Sequence, residues 1–173
     1  AGKEDDNTSV FLTLTDAEII GETTDAYGLG RDKVAQSSEH AHSGQYSMKY
    51  SVKEGEGASL WNDRKEDRIL NLSAYAATRE EIGISFWVYV EDREQEGDFT
   101  FKFVDQAGNR VYFRGLEISA MAPAAGEWHQ VIIPMGKGEY AQNFNWKYIK
   151  QWALESAKGT AFTIWVDDIA LVK

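Results

Sequence analysis

Ile82-Gly83-Ile84-Ser85-Phe86-Trp87-Val88-Tyr89-Val90 alternates with a period of two: Ile82, Ile84, Phe86, Val88 and Val90 fall on one face, and Ser85, Trp87 and Tyr89 on the other. Successive side chains of a strand point to opposite faces, so the aliphatic set reads as core and the second set as outward. Working outward, Asp98 to Val104 repeats the pattern with Phe99, Phe101 and Phe103 together. Asp105-Gln106-Ala107-Gly108-Asn109 then supplies turn residues before Arg110 to Arg114, which predicts a hairpin. Further strands are expected at Val10 to Leu14, Lys33 to Ser37, Tyr46 to Val52, Ala58 to Trp61, Trp128 to Pro134, Tyr148 to Leu154 and Ala161 to Val172. Ser73 to Glu80 is the single stretch with a short helical pattern. Strands joined by short turns, without crossover helices, predict an all-β fold of two antiparallel sheets packed face to face.

The chain has 173 residues, enough for one domain with a full core. Ala1 to Thr8 is polar and reads as a linker remnant, leaving residues 9–173 as a single domain. With no cysteine there is no disulfide framework, thiolate nucleophile or cysteine zinc site. The formal net charge of -10 argues against a nucleic-acid partner. No apolar run is long enough for a membrane-spanning helix, so no membrane partner is expected. Gly-x-Ser-x-Gly, His-Glu-x-x-His and phosphate-loop motifs are missing. His40 and His42 share a turn and read as incidental. Aromatic residues make up 13% of the chain, and flat rings provide ligand platforms as well as core volume.

Three segments carry a family resemblance. They are Thr15-Asp16-Ala17-Glu18 with Glu39-His40-Ala41-His42-Ser43-Gly44-Gln45-Tyr46-Ser47-Met48-Lys49-Tyr50; Ile84 to Tyr89 with Gly126 to Pro134; and Phe162-Thr163-Ile164-Trp165-Val166-Asp167-Asp168-Ile169-Ala170-Leu171. In this order they resemble the calcium-containing jelly-roll carbohydrate-binding modules, the group that includes families four, eleven, sixteen, twenty-two and thirty. The resemblance implies a β-sandwich jelly roll and a structural Ca2+ held by Asp168, by Asp16 or Glu18, and by carbonyls around Gly44. An acidic pair inside an apolar strand is costly unless paired or bound to a cation, which agrees with that implication.

Sugar rings offer C–H faces and hydroxyl edges, so their recognition calls for outward aromatic rings flanked by polar groups. The candidates are Trp87 and Tyr89 on one strand, Arg110, Tyr112 and Arg114 on another, and Lys102 beside it. Trp61 at the head of a charged loop, Tyr27, and Trp146 within Asn143-Phe144-Asn145-Trp146-Lys147-Tyr148 form a second, loop-borne set. Trp128 and Trp165 are assigned to structure. The expected function is non-catalytic binding of internal stretches of a β-glucan-type polysaccharide, with acidic side groups if Arg110 and Arg114 line the groove. The partners expected are the polysaccharide and a covalently linked glycoside hydrolase or lyase, in a monomeric, secreted bacterial protein. The competing readings are a structural or adhesion sandwich of a bacterial surface protein, and a small hydrolase or lyase.

Overall fold

The structure, a computed structural model, describes residues 9–20, 25–29, 33–92 and 95–173. The expected linker remnant at Ala1 to Thr8 lies outside the described residues.

Two antiparallel six-stranded sheets face each other. The first contains β1 (Val10–Thr15), β3 (Val34–Ser37), β4 (Ser47–Val52), β6 (Gly83–Tyr89), β9 (Trp128–Pro134) and β12 (Phe162–Val172). The second contains β2 (Asp25–Gly28), β5 (Ala58–Arg64), β7 (Asp98–Asp105), β8 (Arg110–Glu117), β10 (Glu139–Tyr140) and β11 (Ile149–Ser156). The first sheet runs β3-β4-β12-β6-β9 with β1 also on β12, and the second runs β10-β8-β7-β11-β5-β2. This is the expected all-β sandwich, including the β7–β8 hairpin.

The alternation read from sequence is what fills the space between the sheets. Ile84, Phe86 and Val88 come from one side; Phe99, Phe101, Phe103, Phe113, Trp152 and Leu154 come from the other. Phe101 and Trp152 lie parallel, with centroids 6.2 Å apart and an interplanar angle of 4°. Each such ring or aliphatic side chain removed from water contributes about 1.5–3 kcal/mol. Tyr50 spans the sandwich: its hydroxyl donates to the Leu154 carbonyl at 2.9 Å, and burial, then the charge of Glu155, pushes its pKa well up.

Strand β12 is shared. One edge pairs with β6, while the other pairs with β4 over Phe162 to Val166 and with β1 from Ile169 onward. The handover falls at Asp167-Asp168, where the register shifts and Asp168 takes a φ of 49°. A bulge there lets one strand serve two neighbours.

Several local expectations change. Ser73 to Glu80 forms two 3-10 turns, Ser73–Tyr75 and Arg79–Glu81, with neither burying a residue. Strand β5 continues through Asn62 to Arg64, because Asn62 is fully buried on the inner face and Asp63 faces out. A four-residue helix, Ile118–Met121, closes the end of β8.

Candidate functional site

One row of residues runs straight across the outer face of the second sheet. Gly28 of β2 pairs with Trp61 of β5, Trp61 with Ala153 of β11, Ala153 with Lys102 of β7, Lys102 with Tyr112 of β8, and Tyr112 with Glu139 of β10. At about 4.8 Å per strand, Trp61 and Tyr112 stand about 14 Å apart. Ala153, small and fully buried beneath its neighbours, lies between them. Trp61 packs against Gly28 of β2, so closely that a Cβ there would meet its ring at 1.9 Å. Tyr112 is backed by Arg114, whose guanidinium sits 4.4 Å from the ring centroid.

Polar groups fill the floor between the rings. Lys102 pairs with Glu155 at 3.1 Å, and Glu155 also accepts from the Ser59 hydroxyl at 3.2 Å. The Gln151 amide donates to Asp63. Hollows of about 490 Å³ beside Ser59, Trp61 and Glu155, and about 430 Å³ beside Arg110, Tyr112, Glu139 and Tyr140, lie at the two sides of the row. Rings at both sides, with amide, hydroxyl and charged groups between them, offer stacking surfaces and hydrogen bonds to a hydroxylated ligand.

Trp87 and Tyr89 do not join this row. They point out from β6 of the first sheet, on the opposite face of the sandwich. There the 38–46 loop folds over the sheet and sets His42 on Trp87 (centroids 3.9 Å, 17°) and His40 on Tyr89 (4.1 Å, 28°). His40 also bonds Glu91 at 2.9 Å, so the turn histidines are part of the packing. Trp165, on the same outer face, is only 1% exposed beneath the loop, in keeping with a structural role.

Asp167 anchors the loop. Its carboxylate accepts from the backbone N–H groups of His42 (2.9 Å), Ser43 (3.2 Å) and Asp168 (2.8 Å). Burial, then the charge of Asp168, raises its pKa to about 6 despite those bonds. Asp168 takes the side chains of the same two residues, accepting from the Ser43 hydroxyl at 2.8 Å and bonding His42 Nδ1 at 2.7 Å. Glu18 accepts from Gln45 N at 3.0 Å and Tyr46 N at 3.1 Å, and reaches so close to Gly44 that a Cβ there would meet its Oε1 at 2.2 Å. Asp16 Oδ1 accepts from Glu18 N at 3.1 Å. Of the groups expected to hold calcium, Glu18, Gly44 and Asp168 therefore lie at this loop with separate partners, while Asp16 bonds the Glu18 backbone. Among the described residues no three His, Asp or Glu side chains gather for a metal. The carboxylate enclosed by the loop is Asp167, and its pKa is raised by burial first and by the neighbouring charge of Asp168 second.

The loop-borne aromatics also differ from expectation. Trp61 stands in the middle of β5. Tyr27 packs edge-on toward the core ring of Trp152, with centroids 6.5 Å apart. Trp146 is 8% exposed, wedged against Phe144 and Tyr140 with the Arg79 guanidinium 5.3 Å from its ring centroid, and so supports the groove edge from below. Asp105 ties that edge together. Burial opposes its ionisation, but bonds from Asn145 N, the Asn109 side chain, Asn109 N and Ala107 N outweigh it and hold its pKa below the ordinary value.

Sequence reasoning missed Ser59, Asp63, Gln151, Glu155, Glu139 and Tyr140. The first four follow from extending the alternation of β5 and β11 past the apolar run Trp152-Ala153-Leu154. Strand β10, of two residues, gives no periodic signal.

The family model described as Carbohydrate binding domain 30 matches residues 16–173. No curated protein matches the chain in sequence. Among solved structures, the family 30 carbohydrate-binding module of the cellulosomal cellulase Cel9D-Cel44B of Clostridium thermocellum is similar at 16% identity, with a TM-score of 0.63, covering 94% of this chain and 98% of that one. A second family 30 module is similar at 16% identity, with a TM-score of 0.64 and coverage of 92% and 85%. A family 11 module from Clostridium thermocellum, in complex with a β-1,3-1,4-mixed-linked tetrasaccharide, is similar at 14% identity, with a TM-score of 0.61 and coverage of 92% and 94%. At these identities the likeness is one of fold.

Proposed function

The chain belongs to the carbohydrate binding domain 30 family, and we propose that this carbohydrate-binding module holds internal stretches of a neutral β-linked glucan on the outer face of its second sheet. The observation that carries the reading is the registered row from Trp61 to Tyr112: rings at both sides, hydrogen-bonding groups between them, hollows on either hand. Trp61 and Tyr112 each stack on a sugar ring of the same chain. Between them, Ser59, Lys102, Glu155 and Gln151 meet the hydroxyl edges.

The charge pattern supports a neutral polymer. Lys102, the cation at the centre, is neutralised by Glu155, and Asp63 and Glu139 stand on the same face. Arg110 and Arg114, expected to favour acidic side groups if they line the groove, do flank Tyr112, but Arg114 is stacked on that ring. Over the rest of the row a polyuronate would meet Asp63 and Glu155. The mixed-linked tetrasaccharide in the similar family 11 structure is of the proposed ligand class.

Calcium belongs to the proposal as a structural ion at the 38–46 loop, drawing on Glu18, Asp167 and loop carbonyls. When bound it would offset the charge crowded there. In its natural setting the module tethers a linked polysaccharide-degrading domain of a secreted protein to its substrate, raising the local concentration of one near the other.

The test is native affinity electrophoresis through gels containing mixed-linkage glucan, hydroxyethyl cellulose, xyloglucan, xylan, mannan, agarose or alginate, each with calcium and with chelator. Retardation by a neutral β-glucan, and not by alginate, is expected in both buffers. Retardation by alginate alone would overturn the neutral-ligand reading, and uniform migration in every gel would overturn binding on this face altogether.

A further inference from the structure

The first sheet has a cavity of its own, of about 380 Å³, on the face opposite the groove. Its wall is Trp87, held by the parallel His42 ring 3.9 Å away. Its polar groups are already fixed. Gln130 Nε2 donates to Ser85 Oγ at 3.0 Å, leaving the amide oxygen and a second N–H for a ligand. Asp168 takes the Ser43 hydroxyl at 2.8 Å and His42 Nδ1 at 2.7 Å, and its two oxygens have lone pairs to spare. Ala170 and Val172 add an aliphatic lining, and Thr13 stands at the rim.

We propose that this cavity is a second saccharide site, taking a single neutral sugar ring or the end of a short chain. An indole wall beside an amide, two hydroxyls and a carboxylate is the combination that reads C–H faces and hydroxyls at once. The carboxylate, in a lining that contains neither Lys nor Arg, selects against uronic acids. The volume is within the range of small-ligand sites, about 300–1,000 Å³, and suits an end better than an open chain. Because the ring and the amide are held before a ligand arrives, less ordering entropy opposes binding. With the two sites on opposite faces, one module joins two chain segments, or holds an end while the groove holds a middle, and gains by avidity.

The experiment uses the isotope-labelled Trp61→Ala/Tyr112→Ala protein, with the groove disabled, titrated with methyl β-glucoside, methyl β-galactoside, methyl β-xyloside and cellobiose and followed by amide and indole NMR. At least one sugar should give saturable shifts at the Trp87 indole N–H and at the amides of Ser43, Gln130 and Asp168. Gln130→Ala should weaken that binding about tenfold. Thr13→Trp, made at an exposed position so that the fold is kept, should abolish it by filling the cavity. No saturable shift with any of the four sugars, or shifts unchanged by both cavity variants, would overturn the second site. The outcome is independent of the groove, whose own reading rests on polymer retardation of the unaltered protein.

Discussion

Gly28→Ala separates the platform from the fold more cleanly than any change to Trp61 itself. Gly28 pairs with Trp61 across the β2–β5 ladder, and the indole packs against it. A Cβ would sit 1.9 Å from both Cε2 and Cζ2, about 1.5 Å inside ordinary contact, so the ring must lift or swing away. Gly28 is not among the positive-φ glycines, so alanine suits the backbone and recovers about 0.5–1 kcal/mol of strand propensity. That offsets part of the packing lost under the ring, and the unfolding midpoint should move little. Binding should suffer more. An aromatic anchor displaced from its ligand costs about 2 kcal/mol or more, which at about 1.4 kcal/mol per tenfold is roughly thirtyfold in Kd. Isothermal titration with a mixed-linkage tetrasaccharide gives the affinity, and tryptophan fluorescence reports the moved ring. An affinity within twofold of the unaltered protein, with the fluorescence changed, would refute the role of Trp61 as a platform.

Trp146→Ala should lower stability by about 3–5 kcal/mol, read from urea unfolding, because the ring is buried against Phe144 and Tyr140. Arg110→Ala and Arg114→Ala should leave affinity for a neutral glucan independent of ionic strength, measured between low and high salt. Arg114→Ala should cost two- to fivefold at any salt, through the lost support of Tyr112. Asp167 gives a pH signature in chelator. Its folded pKa of about 6 exceeds the ordinary 3.8, so its contribution to stability is full below about pH 4 and lost as the pH rises through about 6. The two-unit shift sets a ceiling near 3 kcal/mol, and solvent screening brings the expected loss to about 1–2 kcal/mol. Denaturant titrations at stepped pH should show this slope in the native protein and not in Asp167→Asn.

Alternation told inside from outside along β6, β7 and β8, and the packed Phe99, Phe101 and Phe103 carry it through. It says nothing about which sheet a strand enters, since pairing is decided by distant segments. Trp87 and Tyr112 both face outward, yet they look in opposite directions because β6 pairs with β12 and β9 while β8 pairs with β7 and β10. Trp61 read as the head of a loop because Asn62 places a polar residue on the inner face, breaking the pattern at the strand's midpoint. Trp146 stood among amides in sequence, but Arg79 and Tyr140 arrive from other segments to cover it. The resemblance placed Asp168, Asp16 or Glu18, and Gly44 together, and in the structure Glu18, Gly44 and Asp168 do meet at the 38–46 loop. The carboxylate that this loop encloses is Asp167, which alternation alone does not reveal because the bulge at Asp168 breaks the in-out order at that point.

The proposed seat of the glucan, the row across the second sheet, depends on both of its rings. Its most direct measurement is the affinity of Trp61→Ala/Tyr112→Ala for mixed-linkage glucan oligosaccharides by isothermal titration, beside the unaltered protein and with both folds verified by circular dichroism. The unaltered protein should bind and the double variant should lose at least a hundredfold, two anchors at about 1.4 kcal/mol or more each. Retained affinity in a folded double variant would contradict this and move the glucan site off this face.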